Sequence, residues 1–339
     1  MAANDIGIGI IGYGYWGQNI VRNFYHTGGC SIRLVADTDP AALELLGRNY
    51  PSLKTVTDAD SLIMDDQVQA VVIATPVFTH YPLARKALLL GKHVLIEKPV
   101  TTSVAEALEL KSIAEEKNLI ILVDHTFLYT SAVQKIRELI DGGTIGNLRY
   151  FDSTRINLGM FQPDVNVMWD LASHDLAIMA YLISEQPVSV NATGISHTGN
   201  GLENIAYLTI NYNSDFIAHI HCSWTSPVKI RQTLIGGDKK MIIYNDIEPT
   251  EKIRIYDTSI QVNTEEDKWQ KLIDYRNGDI TVPKIANREA LSQVALDFIR
   301  SVNEGSQPLS GMELAITVVR ILEAAQRSIR ENGKNIQLT

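Results

Sequence analysis

The chain has 339 residues, 45% of them hydrophobic and 20% charged, and it carries a net charge of −9 at neutral pH. This length favours two domains, and the acidic balance argues against nucleic acid or an anionic membrane surface as a partner. The N-terminal residues lack a basic region, no apolar run approaches the ~20 residues that span a bilayer, and the two cysteines suggest neither a disulfide framework nor a zinc site. We therefore expect a cytoplasmic protein that binds no metal.

The first predicted elements form a nucleotide-binding turn. A short β-branched run at 6–11 predicts a buried strand, and Gly12, Gly14 and Gly17 follow it at the spacing G-x-G-x-x-G. These glycines permit a tight turn, close approach of a pyrophosphate and close packing of the next helix, predicted at 15–27. The N-terminus of that helix would point its free N–H groups at the phosphates.

The second predicted strand indicates which dinucleotide binds. It covers residues 32–36 and ends at Asp37, twenty residues after the last glycine of the turn. A carboxylate at this place accepts hydrogen bonds from the adenosine ribose hydroxyls and repels a 2′-phosphate. Because residues 38–40 contain no Arg or Lys, we expect NAD rather than NADP.

Strands and helices then alternate as far as residue 125. This alternation predicts a parallel sheet covered on both faces, which is a doubly wound Rossmann domain over residues 1–125. The further predicted strands are 68–74, 93–96 and 119–123, and the further helices are 40–48, 80–90 and 103–118.

The pattern changes beyond residue 125. After a helix at 131–141, long segments alternate apolar and polar residues, which predicts a mainly antiparallel sheet with one face open or covered by a partner. The fold class is therefore α/β, with a C-terminal α+β domain over 126–339 for substrate binding and oligomerisation, whose last helix can pack back on the first domain. The predicted strands are 147–157, 188–197, 204–212, 216–224, 230–235 and 240–244; the helices are 166–183, 288–303 and 312–330; residues 245–285 are read as irregular strands.

Ligands of an open parallel sheet bind beyond the carboxyl ends of its strands. Thr75-Pro76, Glu97-Lys98 and Asp124-His125 occupy such ends. Lys98 could polarise a substrate hydroxyl there, or it could be an ordinary surface lysine. The candidate cofactor contacts are Gly12, Gly14, Tyr15, Trp16, Gly17, Asp37, Thr75, Pro76, His80, Glu97 and Lys98.

A second group of candidate residues lies in the predicted helix 166–183. Asp170 and His174 are four residues apart and share one face of that helix, whose other residues are nearly all apolar. An aspartate beside a histidine raises the basicity of the imidazole, which suits a general base near neutral pH. A structural hydrogen bond between the two is the alternative.

These motifs resemble the glucose–fructose oxidoreductase / inositol dehydrogenase / MocA family. The resemblance rests on GYGYWG at 12–17, EKP at 97–99 and D-x-x-x-H at 170–174, and it covers essentially the whole chain. It implies a Rossmann domain, an open-faced sheet often used for oligomerisation, and catalytic roles for Lys98, Asp170 and His174. A homodimer or homotetramer is the implied assembly.

Within this family, three segments look similar to the nucleotide-sugar 3-dehydrogenases of polysaccharide biosynthesis. They are HTFLY at 125–129, STRINLG at 153–159 and DVNVMWDLASHD at 164–175. The similarity implies oxidation of C3 of UDP-N-acetylglucosamine or its uronic acid. Besides Lys98, Asp170 and His174, it makes His125, Arg155 and Asn157 candidates for substrate contact, although Arg155 and Asn157 could equally be ordinary polar residues of a half-exposed strand.

The implied reaction moves a hydride from a sugar carbon to NAD while a base removes the hydroxyl proton. Lys98 would polarise the hydroxyl and His174, oriented by Asp170, would accept the proton, although the sequence also allows the two roles to be exchanged. Three alternatives stay open: an inositol or sugar-phosphate dehydrogenase, an NAD-dependent glycosidase, and an NAD-binding regulatory protein. The presence of Lys98, Asp170 and His174 weighs against the last.

Overall fold

A computed structural model describes residues 5–159, 161, 164–257, 259–261, 274–276 and 278–338. The chain divides into two compact units. The first comprises residues 1–130 and 288–320, and the second comprises 131–287 and 321–339.

The first unit is built on a six-stranded parallel sheet. Its strand order is β3-β2-β1-β4-β5-β6, which is the order of a Rossmann fold and confirms the predicted fold class. Near-continuous apolar runs form the central strands because helices cover both faces of the sheet. The strands are β1 (Ile6–Ile11), β2 (Cys30–Ala36), β3 (Thr55–Val56), β4 (Ala70–Ile73), β5 (His93–Glu97) and β6 (Ile121–Asp124).

The helices of this unit follow the strands as the alternation predicts. Pro40 opens α2 directly after Asp39, whose side chain caps the helix by accepting from the backbone N–H of Ala41. The helices are α1 (Tyr15–His26), α2 (Pro40–Asn49), α3 (Ala59–Met64), α4 (His80–Leu89) and α5 (Val104–Glu116).

The second unit contains a nine-stranded sheet in the order β16-β13-β12-β11-β7-β10-β9-β8-β17, and β14 and β15 pair separately. The sheet is mainly antiparallel, but its neighbours β7 and β10 run parallel. The strands are β7 (Leu148–Leu158), β8 (Ser189–Ile195), β9 (Ile205–Asn211), β10 (Ile217–Ser223), β11 (Thr225–Gly237), β12 (Met241–Asn245), β13 (Ile253–Tyr256), β14 (Ser259–Gln261), β15 (Asp274–Arg276), β16 (Ile280–Thr281) and β17 (Ile336–Gln337). The rest of the predicted irregular region, at 258, 262–273 and 277, lies outside the described residues.

Two helices of the second unit are α6 (Ser131–Asp141) and α7 (Ser173–Leu182). The sequence predicts one continuous helix over 166–183, but the structure has a π-helical turn at Met168–Ala172 before α7 begins. A π turn adds a residue per turn and is frequent at functional sites. The π turn at Met168–Ala172 contains Asp170, whereas His174 lies in the first turn of α7.

The chain returns to the first unit with α8 (Ala290–Glu304) and the beginning of α9 (Met312–Arg330). α8 packs against α1 and against the short turn at Thr126–Tyr129. The Phe24 and Phe298 rings meet edge to face at 6.5 Å, and Tyr129 donates a hydrogen bond to Asp297 Oδ2 at 2.7 Å. These contacts place 288–320 with the first unit, whereas the predicted boundary assigns that segment to the second domain.

Within the described parts of the chain, no helix combines the length and the apolar character needed to cross a membrane. The same parts contain no group of three or more His, Cys, Asp or Glu side chains arranged to hold a metal ion. Cys30 and Cys222 are both buried free thiols.

Candidate active site

The glycine turn of the first unit fits a dinucleotide. Gly12 has a φ of +97°, and a Cβ there would lie 2.4 Å from the carbonyl oxygen of Ala74. A Cβ on Gly17 would lie 2.2 Å from the carbonyl oxygen of Gly12, so α1 packs this closely only because the residue is glycine. Gly14 faces open space and caps α1 without a side-chain hydrogen bond. The uncapped N–H groups and the space beside Gly14 suit a pyrophosphate.

Two aromatic side chains stand beside this turn. Tyr15 and Trp16 are 75% and 53% exposed, and their rings meet edge to face at 5.3 Å. Both belong to the first turn of α1, where the predicted cofactor contacts are concentrated.

Asp37 is held in place at the end of β2. Its Oδ2 accepts the backbone N–H of Tyr13 at 2.6 Å, and its Oδ1 accepts the backbone N–H of Asp39 at 2.8 Å. A carboxylate accepts about four hydrogen bonds, so Asp37 keeps capacity for ribose hydroxyls. The geometry fits the predicted contact with the adenosine ribose.

His80 joins the ends of two neighbouring strands. Its Nδ1 lies 2.8 Å from the carbonyl oxygen of Pro99 and its Nε2 lies 2.9 Å from that of Thr75, and the residue is 1% exposed. These contacts occupy both ring nitrogens with backbone oxygens, so His80 shapes the strand ends rather than presenting a nitrogen to a cofactor. The Lys98–Pro99 peptide bond in this segment is cis, and Thr75 Oγ1 lies 2.6 Å from Thr79 Oγ1. Thr75 and Pro76 keep the predicted place at the end of β4.

Four ionisable side chains gather at the ends of β5 and β6. The register pairs Glu97 with Asp124, and Lys98 and His125 follow them directly. Burial raises the pKa of Glu97 to about 8, with the Asp124 carboxylate adding to this and Lys98 opposing it. Burial also raises the pKa of Asp124 to about 6, opposed by the hydrogen bond from Thr126 and by Lys98. Strongly perturbed groups of this kind are typical of active sites.

His125 is buried in the same cluster. It is 2% exposed, and neither ring nitrogen has a hydrogen-bond partner among the described residues. Burial, with Lys98 adding to it, lowers the pKa of His125 to about 3, so the imidazole is neutral at ordinary pH. The sequence predicts a substrate contact for His125 and assigns no role to Asp124, whose pairing with Glu97 depends on the register of two strands.

In the second unit, Asp170 and His174 are half-buried whereas every other residue from 167 to 179 is buried. Trp224 Nε1 donates to Asp170 Oδ2 at 3.0 Å. Trp224 is 1% exposed and packs so closely on Gly159 that a Cβ on Gly159 would lie 2.5 Å from its ring. The sequence gives no sign of this contact, because Trp224 lies 54 residues further along the chain, between β10 and β11.

Arg155 is buried in an ion pair with Asp175, a position that does not favour the predicted substrate contact. Its Nε and Nη2 donate to Asp175 Oδ2 and Oδ1 at 2.9 and 2.8 Å, and both side chains are nearly fully buried. Buried and partly exposed residues alternate along β7, and Arg155 is one of the buried ones. Its side chain therefore faces inward, towards α7, instead of lying on a half-exposed face. Asn157 differs, since its Oδ1 is buried without a hydrogen-bond partner among the described residues. Asn157 therefore remains a candidate substrate contact.

Comparison with known families matches both parts of the chain. Residues 6–125 match an oxidoreductase family described by its NAD-binding Rossmann fold, and residues 133–243 match the GFO/IDH/MocA C-terminal domain. The two matches together cover about two thirds of the sequence.

Individual relatives share about a quarter to a third of their residues with this chain over the aligned segments. The UDP-N-acetylglucosamine 3-dehydrogenase of Acidithiobacillus ferrooxidans is 31% identical over 60% of this chain and 63% of its own length. The scyllo-inositol 2-dehydrogenase (NADP(+)) of Bacillus subtilis is 24% identical over 97% of this chain and 95% of its own. The solved structure of the Acidithiobacillus enzyme has a TM-score of 0.83 at 21% identity and covers 97% of this chain and 99% of its own, which shows the shared fold. Three other curated relatives are matched over only about half of their own length.

Proposed function

Because the chain belongs to the GFO/IDH/MocA oxidoreductase family and its first unit is an NAD-binding Rossmann fold, we propose that it is an NAD-dependent dehydrogenase oxidising a secondary hydroxyl of a sugar. The observation that carries this proposal is the half-buried pair Asp170 and His174 in an otherwise buried helical segment. Between residues 167 and 179, these two side chains are the ones that remain open to a ligand.

The substrate proposed is a nucleotide sugar such as UDP-N-acetylglucosamine or its uronic acid, oxidised at C3. Support comes from the similarity of three segments to nucleotide-sugar 3-dehydrogenases and from the Acidithiobacillus relative of that name. Inositol is the second candidate, since the Bacillus relative is a scyllo-inositol dehydrogenase that aligns with nearly the whole chain. The step would belong to the synthesis of sugars for polysaccharides.

Bound NAD would supply the hydride acceptor, held at Gly12, Gly14, Gly17 and Asp37. The residues of this chain would manage the hydroxyl proton. Lys98 donates a hydrogen bond to the hydroxyl and polarises it, and His174 accepts its proton while Asp170 holds the imidazole in one orientation. The exchange of roles between Lys98 and His174 remains an alternative. General base catalysis of this kind contributes roughly 10²–10⁴-fold in rate.

We also propose that the second unit associates with further copies of the chain through the open face of its sheet. Tyr207 and Ile217 are 43% and 47% exposed on that face, whereas their neighbours Leu208 and Ala218 are fully buried on the other. A dimer or tetramer would cover these side chains.

The test is a substrate screen that follows NADH absorbance with nucleotide sugars, inositols and sugar phosphates. Lys98→Met and His174→Asn should each lower kcat by roughly 10²–10⁴-fold while NAD affinity and Tm stay near the wild-type values. If Asp170 and His174 only stabilise the fold, His174→Asn would instead lower Tm and leave activity per folded molecule intact. That result, or no turnover of any sugar or cyclitol, would contradict the proposal.

A further inference from the structure

The π turn that carries Asp170 is anchored at its start by Asn166. This side chain is 2% exposed, and its Oδ1 accepts the backbone N–H groups of Met168 and Trp169 at 3.1 and 3.3 Å. The carbonyl oxygen of Asn166 accepts the backbone N–H of Asp170 at 3.2 Å, and its Nδ2 donates to Glu203 Oε2 at 2.7 Å. These bonds fix the main chain as far as Asp170, so what remains to be set there is the orientation of the carboxylate.

The carboxylate of Asp170 accepts a hydrogen bond from a buried indole. Trp224 Nε1 donates to Asp170 Oδ2 at 3.0 Å, and Trp224 is 1% exposed. A hydrogen bond to an ionised acceptor is roughly twice as strong as one between neutral groups, and an indole N–H acts only as a donor. The bond therefore favours one rotamer of the Asp170 side chain, with Oδ2 turned towards Trp224.

The indole of Trp224 is itself held in place. The backbone N–H of Trp224 donates to the carbonyl oxygen of Asn204 at 2.9 Å, and its carbonyl oxygen accepts the N–H of Gly159 at 3.0 Å. A Cβ on Gly159 would lie 2.5 Å from Cδ1 of the indole, which is the ring carbon bonded to Nε1. The Phe161 ring packs on the indole with centroids 5.5 Å apart. Trp224 is thus a rigid donor, and Gly159 leaves the space that it occupies.

We propose that Trp224 is a positioning residue for the transfer of the hydroxyl proton. Its indole N–H orients the carboxylate of Asp170, and Asp170 in turn orients the imidazole of His174. Trp224 acts on the reaction only through Asp170. This inference rests on the roles given to Asp170 and His174 in the proposed function.

The physical reason is the precision that proton transfer demands. A general base must lie within hydrogen-bond reach of the proton that it accepts. Catalytic groups keep such a position within roughly 0.5 Å when packing and hydrogen bonds lock the rotamers of the side chains behind them. A phenylalanine in place of Trp224 would fill much of the same space but could donate no hydrogen bond to Asp170.

The first test needs neither substrate nor cofactor. The chain has four tryptophans, so a ¹H–¹⁵N spectrum of the apoprotein should contain four indole resonances, and Trp224→Phe identifies that of Trp224 by its loss. A hydrogen bond to a carboxylate moves an indole proton to higher chemical shift. The Trp224 resonance should therefore move to lower shift in Asp170→Ala, and less so in Asp170→Asn, which keeps an acceptor oxygen. A resonance that does not move in Asp170→Ala would overturn the proposal.

The second test measures NADH formation with UDP-N-acetylglucosamine, scyllo-inositol and any other substrate that the screen identifies. Trp224→Phe should lower kcat roughly ten- to a hundredfold, since misplacing a reacting group by about 1 Å has a cost of this order. NAD affinity should stay near the wild-type value, because the glycine turn and Asp37 belong to the first unit. Gly159→Ala displaces the indole without removing its N–H and should lower kcat in the same direction, so it replaces Trp224→Phe if that variant does not fold.

A double variant separates positioning from any other role. In Asp170→Ala the acceptor of the indole N–H is gone, so adding Trp224→Phe should change kcat by less than about twofold, which is the usual error of additivity. If Trp224 affects the reaction by another route, the two losses multiply and the proposal is wrong.

Tyr244→Phe is the matched control. Tyr244 is a buried aromatic residue of the same unit, and its hydroxyl donates to Asp246 Oδ1 at 3.2 Å. Its loss should lower Tm about as much as Trp224→Phe does and leave kcat unchanged.

The outcomes distinguish this inference from the proposed function. If the wild type oxidises a sugar or cyclitol and folded Trp224→Phe keeps the wild-type kcat, the inference fails and the proposed function stands. If Asp170→Ala is fully active, the role of Asp170 in the proposed function fails, and with it the positioning role of Trp224. If the wild type oxidises none of these compounds, both fail.

Discussion

Asp37 is the residue on which the choice between NAD and NADP depends. Its carboxylate is fixed by the backbone N–H groups of Tyr13 and Asp39, so its position at the end of β2 does not depend on a bound ligand. Asp37→Ala should weaken NADH binding roughly ten- to a hundredfold, because a hydrogen bond to a charged group contributes about 1.5–3 kcal/mol. The affinity for NADPH should rise or stay unchanged, since the repulsion between the Asp37 carboxylate and the 2′-phosphate disappears. Fluorescence titration of the two nucleotides measures both effects.

Asp39→Ala is the control for this substitution. Asp39 lies two residues away and its side chain caps α2, so its loss should leave the ratio of NADH to NADPH affinity unchanged. Wild-type protein that binds NADPH as tightly as NADH would contradict the prediction.

Single residues were predictable from the sequence where local spacing sets the geometry. Gly12, Gly17 and Asp37 lie within one strand–helix–strand unit, and the structure places them as the spacing predicts. The partners of Arg155 and Asp124 were not predictable. Arg155 meets Asp175 across two elements, and Asp124 meets Glu97 through the register of two strands that are separated by α5 in the chain.

At the scale of elements, periodicity predicted most strands and helices of both units. The periodicity gave no sign of the π turn before α7. An α-helix bonds residues four apart and a π-helix bonds residues five apart, but a buried segment of either kind is made of the same apolar residues. Nor did the periodicity reveal that β7 and β10 run parallel, since both strand orientations alternate side chains with a period of two.

The ion pair of Arg155 and Asp175 joins β7 to α7. Both side chains are nearly fully buried, so Arg155→Leu would leave the Asp175 carboxylate without a counter-charge. We expect a loss of about 3–5 kcal/mol in the free energy of unfolding. Arg155→Leu combined with Asp175→Leu should recover most of this loss, because no buried charge remains. Urea unfolding of the single and double variants measures the difference.

Arg149→Leu on the same strand is the matched control. Arg149 is paired with Asp215 at 3.7 Å, but its side chain is 48% exposed, and such surface pairs contribute about 0–1 kcal/mol. If Arg155 served the substrate instead of the fold, Arg155→Leu would raise KM and leave the unfolding free energy unchanged.

At the scale of the whole molecule, the chain passes from one unit to the other more than once. Residues 288–320 return to the first unit, and the second unit resumes at 321. The amphipathic pattern of α8 correctly predicts one buried stripe, with Val294 and Phe298 buried, but a stripe does not specify which surface will cover it. The family matches at 6–125 and 133–243 leave this returning segment outside both domains.

The last prediction concerns the open face of the nine-stranded sheet, through which we expect copies of the chain to associate. Tyr207 stacks on His221 with ring centroids 4.3 Å apart and planes within 10°, which forms a flat aromatic surface on the face of the sheet that also carries Ile217. If copies of the chain associate through this face, Tyr207→Asp combined with Ile217→Asp buries two charges in the interface and should yield monomers, while Tm in the dilute limit changes little. Leu108→Asp on α5 is the control, since Leu108 is 45% exposed and Tyr207 is 43% exposed, but only Tyr207 lies on the sheet. Light scattering at micromolar concentration decides: an oligomeric wild type that persists in the double variant, or a monomeric wild type, would contradict association through this face.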